Sequence, residues 1–369
     1  MLQRAHDEPP PRHLRHPVVL ALARAQARIG HPQAVATARE ALASAEKPTQ
    51  EAYAALHLIR TLALNGDVWS ALDLLHERTA TPTGLDTDAS LQVEAELLGV
   101  ARLRPDTRAE ALARIDRLAP RALPARPASR TLLANLALSA LERREPPDRV
   151  AELARLALAG RWPADDTTFQ LVYAFEALTW TDHLEEAARA VDAAIAAARD
   201  SGSLRLADLA HGWRAKVNLR RGAVSDAEAD ARLSYELDAG SSPSWRTPFA
   251  SSPLADVLLV RGNLAEAEDV LGAPDPVEQA DDNPFYLDSR GRLHLARGDA
   301  RAALQDFLDC GHALGRRGGV DVPSAFAWRS QGALALLRLD DRQRAHELAL
   351  EELDPTRGCR AVRRSRAVA

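Results

Sequence analysis

At 369 residues the chain is longer than one ordinary compact domain, so it is either two or three domains or an array in which each unit packs only on its neighbours. Apolar residues make up 46% of it but aromatic residues only 4%, and the apolar share is carried by Ala and Leu, strong helix formers, which argues against a sheet-based fold. A net charge of −5 gives it no bulk means of releasing counterions from DNA and excludes a general polyanion binder.

Rare residue types exclude more. Only Lys47 and Lys216 are lysines among the 47 basic residues, and neither follows a Gly or precedes a Ser or Thr as a phosphate-loop lysine must. The two cysteines, Cys310 and Cys359, make neither a disulfide framework nor a zinc ligand set, and they fit a reducing cytoplasm. No apolar stretch of about 18 residues escapes interruption by charge, so no membrane span is expected.

In chain order, residues 1–16 are polar and proline-rich, lack the apolar core of a signal peptide, and are expected to be disordered. Residues 17–120 read as a first helical sub-array. The stretch from Arg102 to Ala128 carries four prolines and reads as a bend. Residues 121–353 read as a second sub-array, clearest from Asp166 to Leu353. Asp354-Pro355 is expected to end the last helix, leaving a basic, disordered tail at 354–369 with Arg357, Arg360, Arg363, Arg364 and Arg366. That tail is either a solvated end or a contact for nucleic acid or an acidic partner.

One turn grammar recurs along the array. Asn65-Gly66-Asp67, Arg221-Gly222-Ala223, Arg261-Gly262-Asn263 and Arg297-Gly298-Asp299 each separate two amphipathic stretches, as do Thr181-Asp182-His183 and Leu339-Asp340-Asp341. Gly past a helix end accepts a left-handed backbone, and Asp, Asn or Ser beside it caps the next helix. The interval is 36 residues from Gly30 to Gly66, 40 from Gly222 to Gly262 and 36 from Gly262 to Gly298. Tetratricopeptide repeats, two antiparallel helices in about 34 residues, have that period. Ala187, Ala188, Val191, Ala194, Ile195 and Ala198 recur at three and four, one apolar stripe of a helix. About nine helix pairs are predicted: an all-α, TPR-like α-solenoid of antiparallel helix pairs.

Three passages carry a family resemblance. Asn218-Leu219-Arg220-Arg221-Gly222 runs into Asp226-Ala227-Glu228-Ala229-Asp230-Ala231-Arg232. Ser289-Arg290-Gly291-Arg292-Leu293-His294-Leu295 precedes Ala303-Leu304-Gln305-Asp306-Phe307. Pro323 precedes Trp328-Arg329-Ser330, Ala333-Leu334-Ala335-Leu336 and Ala349-Leu350-Glu351-Glu352-Leu353. The segment resembles the tetratricopeptide-like region of large actinobacterial LuxR-type regulators, the ATP-dependent group related to the maltose-regulon activator. The resemblance implies a signal-sensing and oligomerisation array. Such regulators also carry an ATPase and a helix-turn-helix, which this sequence does not match, so the chain reads as a truncated or frame-shifted regulator.

Groups for bond-making are sparse. Asp165-Asp166, Asp281-Asp282 and Asp340-Asp341 sit at predicted helix starts, where carboxylates cap amides. His76-Glu77 and His346-Glu347 begin like a zinc-protease motif, but no second His follows at the required spacing. Cys310 lies on an apolar helix face. No catalytic, cofactor or metal residue is assigned.

The few aromatics stand out. Phe169, Tyr173, Phe175 and Trp180 share one predicted helix, and Trp213-Arg214, Trp245-Arg246 and Trp328-Arg329 repeat a Trp-Arg step. Trp and Arg dominate binding hot spots, so Phe169, Tyr173, Trp180, Trp213, Arg214, Trp245, Trp328 and Arg329 are the candidate ligand or partner surface. Core packing between stacked helices, with each Arg solvated outside, is the more ordinary explanation of any one of them. The sequence therefore predicts a cytoplasmic, non-catalytic binding or scaffold module whose partner is a protein or a small-molecule or peptide inducer. Nucleic acid and membrane are not expected partners, and self-association through the last helix, Arg342 to Leu353, is. Two alternatives stand beside it: a fragment of a regulator whose ATP- and DNA-binding parts lie outside this chain, and an all-α enzyme with a pocket between repeats.

Overall fold

The computed structural model describes residues 10–65, 87–102, 105–123, 125–160, 171–239, 247–272, 283–317 and 321–356, with scattered positions at 4, 8 and between 67 and 77. Among them are seventeen α-helices and no strand. They run as α1 (Arg12–Arg28) with α2 (Ala34–Ala43), then α3 (Pro48–Leu64), then α4 (Thr87–Ala101) with α5 (Pro105–Leu118). Next come α6 (Arg130–Glu142) with α7 (Pro147–Leu158), α8 (Val172–Trp180) with α9 (Leu184–Ser201), and α10 (Leu204–Arg221) with α11 (Val224–Ala239). The last three pairs are α12 (Thr247–Arg261) with α13 (Leu264–Gly272), α14 (Pro284–Arg297) with α15 (Ala300–Arg317), and α16 (Trp328–Arg338) with α17 (Arg342–Thr356). This is the TPR-like solenoid that periodicity predicts. Among the described residues no helix is long and apolar enough to cross a membrane.

The pairs turn at a shared device. At Asp182, Gly222, Gly262, Gly298 and Asp340 the backbone is left-handed, with φ of 62°, 81°, 76°, 90° and 60°. In each case the next residue's N–H reaches back across the last helical turn, as from Ala223 to the Asn218 carbonyl at 2.9 Å and from Asp341 to the Leu336 carbonyl at 3.0 Å. Those bonds satisfy carbonyls that a helix end otherwise strands. Asp at 182 and 340 takes the place of Gly because a short polar side chain tolerates this conformation. Arg144 does the same at φ 57° between α6 and α7, a hinge with no compositional mark. Capping follows as expected at Asp341, which accepts the Arg344 N–H at 3.2 Å, and at Asp299, which accepts that of Ala302 at 3.0 Å. Asp165-Asp166 and Asp281-Asp282 lie outside the described residues.

Two helix limits differ from expectation. α1 begins at Arg12, inside the stretch expected to lack structure, because His16 is buried and its Nδ1 lies 3.0 Å from the Ala41 carbonyl of α2. α17 runs on through Pro355 to Thr356; a proline in a last turn forfeits one backbone bond without ending the helix. Residues 357–369 of the arginine-rich tail lie outside the described residues. The proline-rich stretch holds α5 and two short 3₁₀ turns, Ala119–Ala122 and Pro127–Ser129.

Small residues set the spacing between helices. Ala187, Val191 and Ala194 of α9 are wholly buried, as are Ala134 and Ala137 of α6. The buried apolar side chains form one long cluster from Ala23 of α1 to Val217 of α10, which also takes in Val322, and smaller clusters continue it through α17. Each pair thus buries its stripe on the next, and no central core has to grow. Outside, Arg–Glu forks stitch successive pairs: Arg221 to Glu185 at 3.0 and 3.1 Å, Arg232 to Glu266 at 2.6 Å, and Arg155 to Glu186. These pairs face solvent, so they orient more than they stabilise.

Close approach is tightest at Gly311 of α15, where an added Cβ would sit 2.6 Å from the Trp328 ring of α16; at Gly315, one turn on, it would meet nothing within 4 Å. We expect Gly311→Ala to cost about 1–3 kcal/mol through overpacking. Gly315→Ala should instead stabilise by about 0.5–1 kcal/mol through helix propensity. Urea denaturation of both variants checks the opposite signs.

Candidate functional site

The first helices of successive pairs pack on one another in rows, α4–α6–α8 and α10–α12–α14–α16, and they form the inner face. The left-handed hinge sets which side chains point there. Six residues before the hinge, four consecutive pairs place Glu176, Lys216, Asp256 and Arg292, a ladder of alternating acidic and basic residues. Its upper rungs are bonded: Arg292 Nη2 donates to Asp256 Oδ1 and to Asp288 Oδ2, both at 2.7 Å, and Ser289 Oγ donates to Asp256 at 2.6 Å. Lys216 is nearly buried, and its ammonium lies 4.5 Å from the Phe285 ring centroid.

Burial dominates the titration of this face. It lowers the Lys216 pKa, with Asp256 opposing, and raises that of Asp288, with Arg292 opposing. Glu176 is pushed up to about 8 by burial, against the pull of Arg102, with the Glu142 carboxylate adding to the rise. Glu176 therefore holds its proton at neutral pH.

A cavity of about 300 Å³ opens beside the ladder. Trp180 of α8, Lys216 and Arg220 of α10, Asp256 of α12, Phe285, Asp288 and Arg292 of α14 and Gln331 of α16 line it from the helices. Residues 323–327, the connector into α16, line the rest. Pro323 presets a turn there, and the Ala325 N–H bonds the Val322 carbonyl at 2.9 Å. Arg220 of the inner face and Arg144 at the α6–α7 hinge hold this connector. Arg220 Nη1 donates to the Ser324 carbonyl at 2.7 Å, and Arg144 Nη2 to the Asp321 carbonyl at 3.4 Å. Arg329 forks onto the Asp321 carboxylate, both bonds 2.9 Å, and Trp328 Nε1 donates to it at 3.1 Å. Phe326 meets Phe285 edge-on at 4.8 Å between centroids.

The eight residues named from sequence do not form one surface. Phe169 and Trp245 lie outside the described residues. Tyr173 is buried, donates its hydroxyl to the Gly99 carbonyl at 3.1 Å, and lies under the Arg102 guanidinium. Trp213 is fully buried and packs edge-on to Trp180 at 5.9 Å. Arg214 points to the other side of α10, forked onto Asp230 at 2.7 and 2.8 Å. Trp180 reaches the cavity, with the Arg220 guanidinium 5.1 Å from its ring, while Trp328 and Arg329 anchor the connector. Lys216, Arg220, Asp256, Phe285, Asp288 and Arg292 are not among the site residues expected from sequence; the hinge register is the signal that finds Lys216, Asp256 and Arg292.

The wall carries two features of an enzyme pocket, convergent polar groups and shifted ionisation, the lowered Lys216 ammonium among them. Cys310 is buried and its thiol is pushed up by burial, so it is inert. Among the described residues no three His, Cys, Asp or Glu side chains are placed to hold a metal ion. Asp256 and Asp288 are spanned by Arg292.

An ordinary glutamate ionises near 4.5, so between that pH and about 8 the folded chain holds one proton more than the unfolded chain at Glu176. Its contribution to stability therefore falls as pH rises through this window and levels off above it. Glu176→Gln removes the titration. The variant's stability relative to the native chain should rise between about pH 5 and about pH 9 in urea denaturation, with far-UV dichroism confirming the fold.

No protein-family profile matches the chain, and no curated protein sequence is significantly similar to it. Solved structures are similar in fold. A Rap protein complexed with Competence and Sporulation Factor aligns over 94% of this chain and 98% of its own, with a TM-score of 0.59 and 15% identity. The APC/C hetero-tetramer Cut9–Hcn1 aligns over 94% of this chain and 66% of its own, with a TM-score of 0.54 and 16% identity. At these identities the shared property is the TPR-like helical-repeat fold alone.

Proposed function

We propose that the chain is a non-catalytic binding module whose inner face takes a peptide or protein segment, as the signal-sensing array of a LuxR-type regulator does. The observation that carries this reading is the connector at 321–327. The inner face already grips a non-helical piece of chain, by the Arg220 bond to the Ser324 carbonyl and by an aromatic seat for Phe326, with Arg144 at the α6–α7 hinge reaching the Asp321 carbonyl. Backbone-directed bonds plus one aromatic pocket are the means by which grooves hold peptides. A Rap structure of similar fold is complexed with Competence and Sporulation Factor, and the passages Asn218–Arg232 and Trp328–Leu353 resemble LuxR-type arrays. Net charge of −5 favours a protein partner over nucleic acid.

The test is affinity capture from the source cell with the native chain and with Trp180→Ala and Arg220→Ala as baits. A partner bound through this face is captured by the native chain and at least about tenfold less by each variant, with helicity unchanged by dichroism. Equal capture by all three places the partner elsewhere and ends the reading. Self-association belongs to the same proposal, because Leu334, Leu337 and Leu350 stand exposed on the last pair. Sedimentation velocity should show a dimer of the native chain and a monomer when Leu337 and Leu350 are both changed to Glu.

A further inference from the structure

We propose that Glu352 is a proton-operated latch on the connector at 321–327. With the carboxyl neutral, Arg329 stays forked onto Asp321 and the connector stays seated on the inner face. With the carboxylate ionised, Arg329 is drawn away and the connector lifts. The latch stands on the surroundings of Glu352 alone. Its consequence for binding, an inner face more open to a partner at higher pH, rests on the peptide reading above.

Glu352 of α17 is an acid whose surroundings call for an explanation. It is wholly buried, and neither of its carboxyl oxygens has a hydrogen-bond partner. Other buried carboxyls of the chain, Glu96, Asp208, Asp230, Asp256 and Asp306, accept bonds from arginine or serine. A carboxylate left bare in this way is an unsolvated charge, a far costlier thing to bury than the neutral acid. Burial accordingly pushes the Glu352 pKa up to about 7; Arg329 opposes the rise, Asp321 adds to it, and the Ser330 hydroxyl pulls weakly downward.

The groups that face Glu352 tie it to the connector. From α16 come Arg329 and the Ser330 hydroxyl, and from the connector Asp321. From α17 itself comes Glu351, 3.9 Å from Arg329 Nε. α15 meets α17 through the apolar Leu304, and Arg144 acts on Asp321 from the α6–α7 hinge. Arg329 is the cation that Glu352 and Asp321 share. With Glu352 neutral, its planar fork is committed to Asp321 through two bonds of 2.9 Å. Ionised Glu352 competes for the same guanidinium and leaves the Asp321 carboxylate its bond from Trp328 Nε1.

What Arg329 holds is a strap between two walls. Val322 belongs to the apolar cluster that runs from α1 to α10, and Phe326 to the one formed with Leu287, Cys310 and Leu314 of α14 and α15. The Ala325 and Phe326 amides both bond the Val322 carbonyl, at 2.9 and 3.1 Å, so their exchange with solvent reports whether this turn is intact. A lifted connector returns Glu352 to water, where a glutamate ionises near 4.5. The seated form therefore holds the extra proton between that pH and about 7, so opening is favoured as pH rises through this window and levels off above it.

Hydrogen exchange on the full chain, read by mass spectrometry on fragments spanning 322–328 and corrected for the intrinsic rate at each pH, tests the latch with no partner present. Opening at the Ala325 and Phe326 amides should rise at least about tenfold from about pH 5 to about pH 7.5 and change little above that. Glu352→Gln, which cannot ionise, should hold these amides at a constant level of opening across the range, with helicity unchanged by dichroism. A flat profile in the native chain overturns the proposal whether or not the variant folds. The same rise in Glu352→Gln also overturns it, by assigning the titration to another group such as Glu176. So does a rise confined to α17 while the connector stays protected. None of these outcomes involves a ligand, so failure of the peptide reading leaves them untouched.

Discussion

The left-handed residue between the two helices of a pair is the constraint on which the rest of the molecule depends. It joins the helices in a fixed rotational phase, because its N–H and that of the next residue must find carbonyls on the preceding turn. Once the phase is fixed, so is the face each upstream residue presents. Glu176, Lys216, Asp256 and Arg292 share a face because they share a distance to Asp182, Gly222, Gly262 and Gly298. The hinge is thus a local backbone event with a long-range result, a line of side chains drawn from helices far apart in sequence.

That line explains why the cavity is charged and yet stable. Buried charges are destabilising unless they are matched and hydrogen-bonded. Alternation of sign along the upper rungs, Lys216, Asp256 and Arg292, lets each answer its neighbour, with Arg292 bridging two carboxylates and Ser289 adding a further donor. Arginine suits this work, since a planar fork reaches two acceptors at once. The same property appears outside, where Arg221 forks onto Glu185, and at the connector, where Arg329 forks onto Asp321.

Much of the fold was legible in the sequence because its controlling residues have unusual compositions. Gly222, Gly262 and Gly298 mark hinges by type, and Ala-rich stripes mark buried faces. Arg144 was not legible, since nothing about an arginine announces a left-handed backbone. The site was legible only in part. Trp and Arg were sought by type, and type does not say which side of a helix a residue occupies. Trp180 and Trp213 touch each other, yet one reaches the cavity and the other is sealed in the core. Arg214 follows Trp213 and faces Asp230, away from the cavity. The ladder changes residue type at every rung, so a search for repeated residues passes over it. The connector's role depended on a contact between Arg144 and Asp321, 177 residues apart, which no local pattern encodes.

That last contact has a mechanical meaning. A solenoid built only of neighbour contacts behaves as a spring, whose pitch changes when many small interfaces each yield a little. Arg144 and Arg220 tie the connector at Asp321 and Ser324 back to α6–α7 and α10, and Arg205 reaches Asn65 at the end of α3 at 2.9 Å. These struts span coils that are remote along the chain and add stiffness across the axis. Stretching or twisting the spring must break them first, so whatever loosens the connector also changes the compliance of the array.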